Sequence, residues 1–77
     1  MKLVEAISQR IKNLLQERNL KPYSLYKNGG VPRSTLSDVL NLNKKKVTTD
    51  TVYQVCATLQ IDLKTFFDDP MFDDLED

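Results

Sequence analysis

Four polar residues occupy the outward side of one predicted helix: Arg33, Ser34, Ser37 and Asp38. An arginine can donate two hydrogen bonds to a guanine, a serine can donate or accept, and an aspartate can accept from the amino group of a cytosine. These residue types can therefore read the edges of bases in a nucleic-acid duplex. A solvated surface arginine is the alternative for Arg33. Asp38 can also act by repelling phosphates, which would filter out wrong sequences.

A run of three lysines, Lys44, Lys45 and Lys46, follows this helix directly. Lysines in a loop beside a base-reading helix neutralise phosphates and release counterions, which adds affinity without sequence preference. Lys21, at the start of the preceding helix, is a further candidate for a phosphate contact. The alternative for the lysine run is an ordinary solvated loop.

The charges of the chain cancel in total but are separated along it. Residues 1–46 contain ten basic and three acidic residues, whereas residues 47–77 contain one basic and eight acidic residues. The two halves therefore carry net charges of +7 and −7. Such asymmetry indicates that one half meets a polyanion. The alternative is a bipolar soluble surface with a solvated acidic tail.

The hydrophobic pattern predicts five short helices and no strand. The first helix ends between Arg18 and Leu20, where Asn19 can adopt the left-handed conformation that closes a helix. Arg10 falls largely outside the apolar stripe of this helix. The stripe consists of Leu3, Val4, Ile7, Ile11, Leu14 and Leu15.

The next two helices, joined by a glycine-containing turn, form the outline of a helix-turn-helix. They run from Pro22 to Asn28 and from Arg33 to Leu40. The glycines of Asn28-Gly29-Gly30 break the chain between them and allow the positive φ that a sharp turn requires. In such a pair the second helix lies in the major groove, which places its outward residues next to base edges.

Two further helices follow a polar loop over residues 41–46. Thr48 is a good N-cap for the fourth helix, and Asp62 caps a short fifth helix. The apolar residues of these two helices are Val52, Val55, Cys56, Leu59, Leu63, Phe66 and Phe67. Cys56 stands inside this apolar pattern and is interpreted as a small core residue.

The segment from Gly30 to Leu40, GVPRSTLSDVL, resembles the turn and recognition helix of the lambda-repressor-like (Cro/CI-type, XRE-type) regulators. Residues 48–52, 59–63 and 66–67 resemble helices four and five of that family. In this order and spacing the motifs are specific, and the resemblance covers roughly residues 4–67. It implies an all-α fold, a compact five-helix DNA-binding domain with its helix-turn-helix at helices two and three.

The resemblance also implies functions for the chain and for single positions. It implies a transcriptional regulator, expected to be a repressor, that binds double-stranded DNA as a homodimer at a near-palindromic operator. It implies base contacts at Arg33, Ser34, Ser37 and Asp38, and phosphate contacts at Lys21, Thr35, Lys44, Lys45 and Lys46. For Ser34 and Thr35 an equal alternative is capping of the first helical turn.

Several positions depart from the pattern of that family. Tyr26 stands where a small residue is common, Pro32 replaces a frequent Ser or Thr cap, and Asn41-Leu42-Asn43 lengthens the loop. Gly29 stands where an apolar residue is common, and Gln60 stands where a glycine often ends helix four. A left-handed backbone at Gln60 would cost about 1 kcal/mol relative to glycine. None of these departures changes the expected fold.

The composition argues against several other classes of protein. One cysteine and no histidine leave no disulfide framework, no cysteine zinc site and no histidine base. We therefore expect no enzyme activity, no cofactor and no metal. No apolar run approaches the roughly 20 residues that span a bilayer, and the first ten residues lack the apolar core of a secretory signal. The expectation is a cytoplasmic protein without a membrane partner, and the family resemblance implies one encoded by a bacterium or a phage.

The acidic C-terminal end is predicted as a tail over residues 68–77, following the DNA-binding domain over residues 1–67. Three interpretations are open for it: a disordered solvated segment, a segment packed on the body or on a dimer mate, and a contact for a separate protein. The third leads to the alternative function, a protein-interaction module such as a toxin–antitoxin or phage-regulatory partner. In that case Met71, Phe72 and the acidic residues of the tail would form the contact.

Overall fold

Five α-helices and one short 3₁₀ helix form the protein, which a computed structural model describes over residues 1–77. The helices are α1 (Leu3–Glu17), α2 (Tyr23–Asn28), α3 (Arg33–Leu40), α4 (Thr49–Leu59) and α5 (Leu63–Phe67), and the 3₁₀ helix is Pro70–Phe72. There is no strand. The predicted all-α class with five helices is confirmed.

Local side-chain and backbone signals set most helix ends. The Thr48 hydroxyl accepts a hydrogen bond of 3.2 Å from the Thr51 N–H at the start of α4. The Asp62 carboxylate accepts one of 2.7 Å from the Thr65 N–H at the start of α5. Asn19 adopts a left-handed backbone with φ of 56° just after α1. These three predicted helix ends are confirmed.

The core joins all five helices around the inner faces of α1 and α4. Helix α1 packs against α3, α2 packs against α4, and α4 packs against α5. The buried core residues are Ile7, Ile11, Leu14, Leu15, Leu25, Val31, Leu36, Val39, Val52, Val55, Cys56, Leu59 and Phe66. Burial raises the pKa of the Cys56 thiol, so this side chain is an inert core residue, as predicted. None of the helices combines the length and apolar composition needed to cross a lipid bilayer.

The glycines between α2 and α3 serve close packing and do not supply positive φ. No glycine of the chain has positive φ, and Gly29 is extended with φ of −122° and ψ of −176°. A Cβ atom on Gly29 would lie 1.9 Å from Thr58 Oγ1 and 2.7 Å from the carbonyl oxygen of Leu25. The prediction of positive φ at this turn was wrong, because the turn needs glycine to let α4 approach it.

We expect Gly29→Ala to lower the free energy of unfolding by about 1.5 kcal/mol, the usual cost of overpacking. One of the two close contacts is a backbone oxygen, which cannot rotate away. Gly30→Ala is the matched control: its Cβ would meet the end of the Gln54 side chain at 2.6 Å, which can move. Urea denaturation measures both. Equal stability of the two variants would contradict the close approach of α4.

Gln60 ends α4 in a left-handed conformation, with φ of 59° and ψ of 43°. The Ile61 N–H donates to the Cys56 carbonyl at 3.0 Å across this turn. Arg18 adds a hydrogen bond from its guanidinium to the Leu59 carbonyl. The structure therefore confirms the strained position that the sequence indicated.

We expect Gln60→Gly to raise the free energy of unfolding by about 1 kcal/mol, because glycine removes the steric cost of positive φ. Gln60→Ala retains a Cβ and is expected to give no comparable gain. Thermal and urea unfolding of the two variants test this. A Gln60→Gly protein no more stable than Gln60→Ala would contradict the left-handed helix end.

Arg10 is buried, with 9% of its surface exposed, although it was predicted to fall outside the apolar stripe. Its guanidinium donates to the carbonyl oxygens of Phe66 at 2.8 Å and of Thr65 at 3.0 Å. It also lies 3.4 Å from the carboxylate of Asp69. The correction has a physical reason: carbonyls at the end of a helix lack helical partners, and Arg10 supplies donors for α5.

The acidic end folds back onto the body of the protein. The Phe72 ring lies 5.0 Å from the Phe67 ring and 6.1 Å from the Phe66 ring, measured between centroids. The Glu76 N–H donates to the Met1 carbonyl at 3.1 Å, and the Asp77 carboxylate accepts from the Leu3 N–H at 2.7 Å. Of the three interpretations of this segment, the structure agrees with the one in which it packs on the body of the protein. The division at residues 67 and 68 stays a prediction.

Candidate nucleic-acid interface

Helix α3 has a buried side and an exposed polar side. Leu36 and Val39 are buried on its inner side. Arg33, Ser34 and Ser37 are exposed, and Asp38 is half-buried. The structure thus places three of the four predicted base-contacting residues on a surface that a ligand can reach directly.

Arg33 stands at the first position of α3 without an acidic partner. The two ion pairs of the protein join the N-terminal ammonium to Glu76 and Arg10 to Asp69. The guanidinium of Arg33 instead lies over the ring of Tyr26, 5.5 Å from its centroid. No hydrogen bond or ion pair within the protein uses the guanidinium of Arg33, so its N–H donors remain available for a base.

Ser37 and Asp38 connect α3 to the loop that follows it. The Asp38 carboxylate accepts a hydrogen bond of 3.3 Å from the side-chain amide of Asn43, and its carbonyl accepts one of 2.9 Å from the Asn43 N–H. The Asn41 amide donates to the Ser37 hydroxyl at 3.1 Å. These contacts were not predicted from the sequence. The available signals were Asn41, four residues after Ser37, and Asn43, five residues after Asp38.

Ser34 and Thr35 do not cap α3 through a side chain. The N-cap position is Pro32, and no side-chain capping hydrogen bond is present at this helix start. Ser34 is exposed, whereas Thr35 is half-buried. Thr35 lines a cavity of about 100 Å³ together with Asp38, Lys44 and Lys46. A phosphate contact of Thr35 stays a prediction.

The lysine loop, Lys44 to Lys46, is exposed between α3 and α4. Lys44 and Lys46 line the same cavity as Thr35 and Asp38, which brings the loop next to the outer side of α3. No carboxylate lies within ion-pair distance of these ammonium groups. Lys21 is also exposed, two residues before α2. The sequence-predicted cations thus remain free to meet phosphates.

One acidic residue lies closer to the lysine loop than the sequence indicated. Asp77 lines a groove of about 360 Å³ with Lys45 and Lys46, and a neighbouring one of about 390 Å³ with Lys44 and Lys45. The hydrogen bond from the Leu3 N–H holds its carboxylate there. The end of the acidic segment therefore reduces the positive potential beside this loop.

The structure has no cluster of three or more histidine, cysteine, aspartate or glutamate side chains that could hold a metal ion. The one cysteine lies in the core, and its pKa is raised by burial. The exposed face of α3 and the lysines that follow it offer hydrogen-bond donors and acceptors and positive charge.

Comparison with known proteins agrees with this geometry. A family described as Cro/C1-type HTH DNA-binding domain matches residues 10–70 of the 77-residue chain. The matched range contains most of α1 and all of α2 to α5. Searches of curated proteins and of solved structures gave no significant match. The resemblance found in the sequence motifs is confirmed.

Proposed function

Because the chain belongs to the Cro/C1-type HTH DNA-binding domains, we propose that it regulates transcription by placing α3 in the major groove of duplex DNA. The observation that carries this proposal is that cationic side chains without an acidic partner lie at both ends of α3. Arg33 stands at its start and the lysine loop follows its end. An α-helix with its side chains is about 10–12 Å in diameter, which fits the major groove, about 12 Å wide.

The proposed contacts divide into two kinds. Exposed Arg33, Ser34 and Ser37 face the bases, with Asp38 beside them, and the arginine pairs with a guanine. The lysine loop, Lys21 and Thr35 contact phosphates and set the position of α3 in the groove. The side-chain amide of Asn43 donates a hydrogen bond to the Asp38 carboxylate. We expect Asp38 to accept from a cytosine amino group only in a geometry that keeps this hydrogen bond.

The proposed complex is a homodimer on a near-palindromic operator. The protein measures 33 × 24 × 20 Å. Two copies side by side can therefore place their α3 helices about 34–36 Å apart, the separation of half-sites one helical turn apart. Bound there, the dimer would repress transcription by excluding polymerase from the promoter. Its site of action would be the cytoplasm of a bacterium, for a chromosomal or a phage gene.

Selection from a randomised duplex pool tests the proposed function. The protein is bound to the pool at about 50 mM and then at about 200 mM salt, and the retained DNA is sequenced. We expect enrichment of a near-palindrome and a loss of affinity of about 10³-fold, which corresponds to six or more phosphate contacts. No enrichment together with a flat salt response would reject the proposal.

Replacement of the three loop lysines by glutamine is expected to lower the slope of log affinity against log salt by about 2.7, since each phosphate contact contributes about 0.9. The sequence preference should remain, because phosphate contacts carry no base information. Fluorescence anisotropy over a salt series measures both quantities. Lys64→Gln is the control, since this lysine is exposed on α5. An equal change of slope per lysine in the control would contradict a local phosphate contact.

A further inference from the structure

The contact between Tyr26 and Arg33 joins the two helices of the helix-turn-helix through side chains. The Arg33 guanidinium carbon lies 5.5 Å from the centroid of the Tyr26 ring. The Tyr26 ring is half-buried against the core, so its orientation is fixed by the body of the protein. The Tyr23 ring meets it edge-on at 5.4 Å between centroids, with an angle of 84° between the ring planes.

We propose that Tyr26 is a positioning residue for base recognition, which holds the guanidinium of Arg33 in place for a guanine. This inference rests on the proposed function, because it assumes that Arg33 meets a base. A guanidinium uses its flat face to stack and its in-plane N–H groups to donate. Stacking on Tyr26 and a two-bond contact with guanine are therefore compatible in one side-chain conformation.

The contact between Tyr26 and Arg33 is expected to strengthen DNA binding, because it orders the arginine side chain before DNA is bound. A long arginine side chain on an open surface loses rotamer freedom when it binds. The ring of Tyr26 removes part of that freedom in the unbound protein, and no carboxylate competes for the same guanidinium. The Lys27 ammonium lies 5.5 Å from the centroid of the neighbouring Tyr23 ring. Each of the two tyrosine rings therefore has one cation over it.

The first test uses the protein without DNA. The face of an aromatic ring shields protons above it, so the side-chain protons of Arg33 should show an upfield NMR shift in the wild type. Tyr26→Leu should abolish this shift and Tyr26→Phe should keep it. Circular dichroism and thermal unfolding of both variants establish that the helices remain folded.

The second test uses the duplex selected by the wild type. Tyr26→Leu should weaken binding about fivefold, the effect of an exposed cation–π contact. It should also reduce discrimination at the base pair that Arg33→Ala ceases to discriminate, and at no other base pair. Added to Arg33→Ala, Tyr26→Leu should have no further effect. Tyr26→Phe should bind within about twofold of the wild type. Tyr53→Leu is the control, because Tyr53 is 55% exposed on α4 and contacts neither ring.

Two results would overturn the inference while leaving DNA binding intact. One is unchanged discrimination in Tyr26→Leu, and the other is tighter binding in that variant, which would mean that the ring withholds Arg33 from DNA. Failure of the wild type to enrich any sequence is a different result. It would reject the proposed function and this inference with it.

Discussion

Arg33→Ala is expected to weaken binding to the selected duplex by about 2 kcal/mol, roughly thirtyfold, and to relax the preference at one base pair. Arg33 is exposed at the start of α3 and has no acidic partner within the protein. Its donors are therefore available, and their loss leaves the acceptors of a guanine without a protein partner. Anisotropy titrations against single-base variants of the duplex measure both effects.

The Arg33→Lys variant distinguishes the contribution of base recognition to DNA binding from the contribution of positive charge alone. Lysine retains the positive charge but lacks the fork that donates two bonds in one plane. We expect this variant to keep the salt dependence of the wild type and to lose much of the discrimination at the same base pair. An equal loss of affinity for every sequence in Arg33→Ala would assign this residue to phosphate instead.

Arg10→Ala is expected to lower the free energy of unfolding by about 3 kcal/mol. The guanidinium is buried between α1 and the end of α5, where it donates to two backbone carbonyls and pairs with Asp69. Alanine would leave the Phe66 carbonyl without a donor. It would also remove one of two donors from the Thr65 carbonyl and from the half-buried Asp69 carboxylate, which keep the Asp68 and Met71 N–H groups. For a domain of this size the total stability is of order 4 to 11 kcal/mol, so the variant approaches unfolding.

Urea denaturation followed by circular dichroism measures this loss. Lys12→Ala is the control, since Lys12 is exposed on the same helix, and it should change stability by less than about 0.5 kcal/mol. Arg10→Lys should be intermediate, because one ammonium cannot reach all three acceptors in the arrangement of a guanidinium. A cost below about 1 kcal/mol for Arg10→Ala would contradict the buried network.

The sequence predicted the helices well because their ends depend on local chemistry. Thr48 and Asp62 cap the helices that follow them by reaching backbone N–H groups three residues ahead. Asn19 and Gln60 adopt the left-handed conformation immediately after a helix. Each of these signals lies within a few residues of the helix end that it sets, so a single sequence contains it.

The features that the sequence did not predict depend on residues far apart in the chain. Position 29 needs a glycine because the Thr58 side chain approaches it closely. The side chain of Arg10 is buried because it donates to carbonyls 55 and 56 residues later in the chain. The apolar pattern of α1 placed Arg10 outside the buried stripe, because such a pattern depends only on the residue types of one helix. It contains no information about carbonyls at the end of another helix. No local pattern contains either contact.

The packing of the acidic end changes how the alternative function is tested. Phe72 contacts the rings of Phe66 and Phe67 in its own chain. Phe72→Ala would therefore disturb the body of the protein as well as any partner contact, and it cannot separate the two functions. Asp73 and Asp74 are exposed. Replacing both with asparagine gives a test of partner binding that leaves the aromatic packing in place.

The candidate site was predictable in its residue types and only partly in its geometry. The outward positions of Arg33, Ser34 and Ser37 follow from the helical period and are found in the structure. The link of Asp38 to Asn43 and the ring of Tyr26 beside Arg33 arise where separate elements meet. These contacts decide the orientation of side chains, on which base preference depends.

NMR titration of the labelled protein with the selected duplex tests the central claim most directly. If α3 occupies the major groove, the largest amide shifts will fall in residues 33–38 and 44–46, with a smaller set around Lys21. Residues 73–76 will move little, because their negative charge keeps them away from phosphates, whereas Asp77 lies beside the lysine loop and is expected to shift with it. Shifts concentrated in residues 63–77, with α3 unchanged, would contradict binding through the helix-turn-helix.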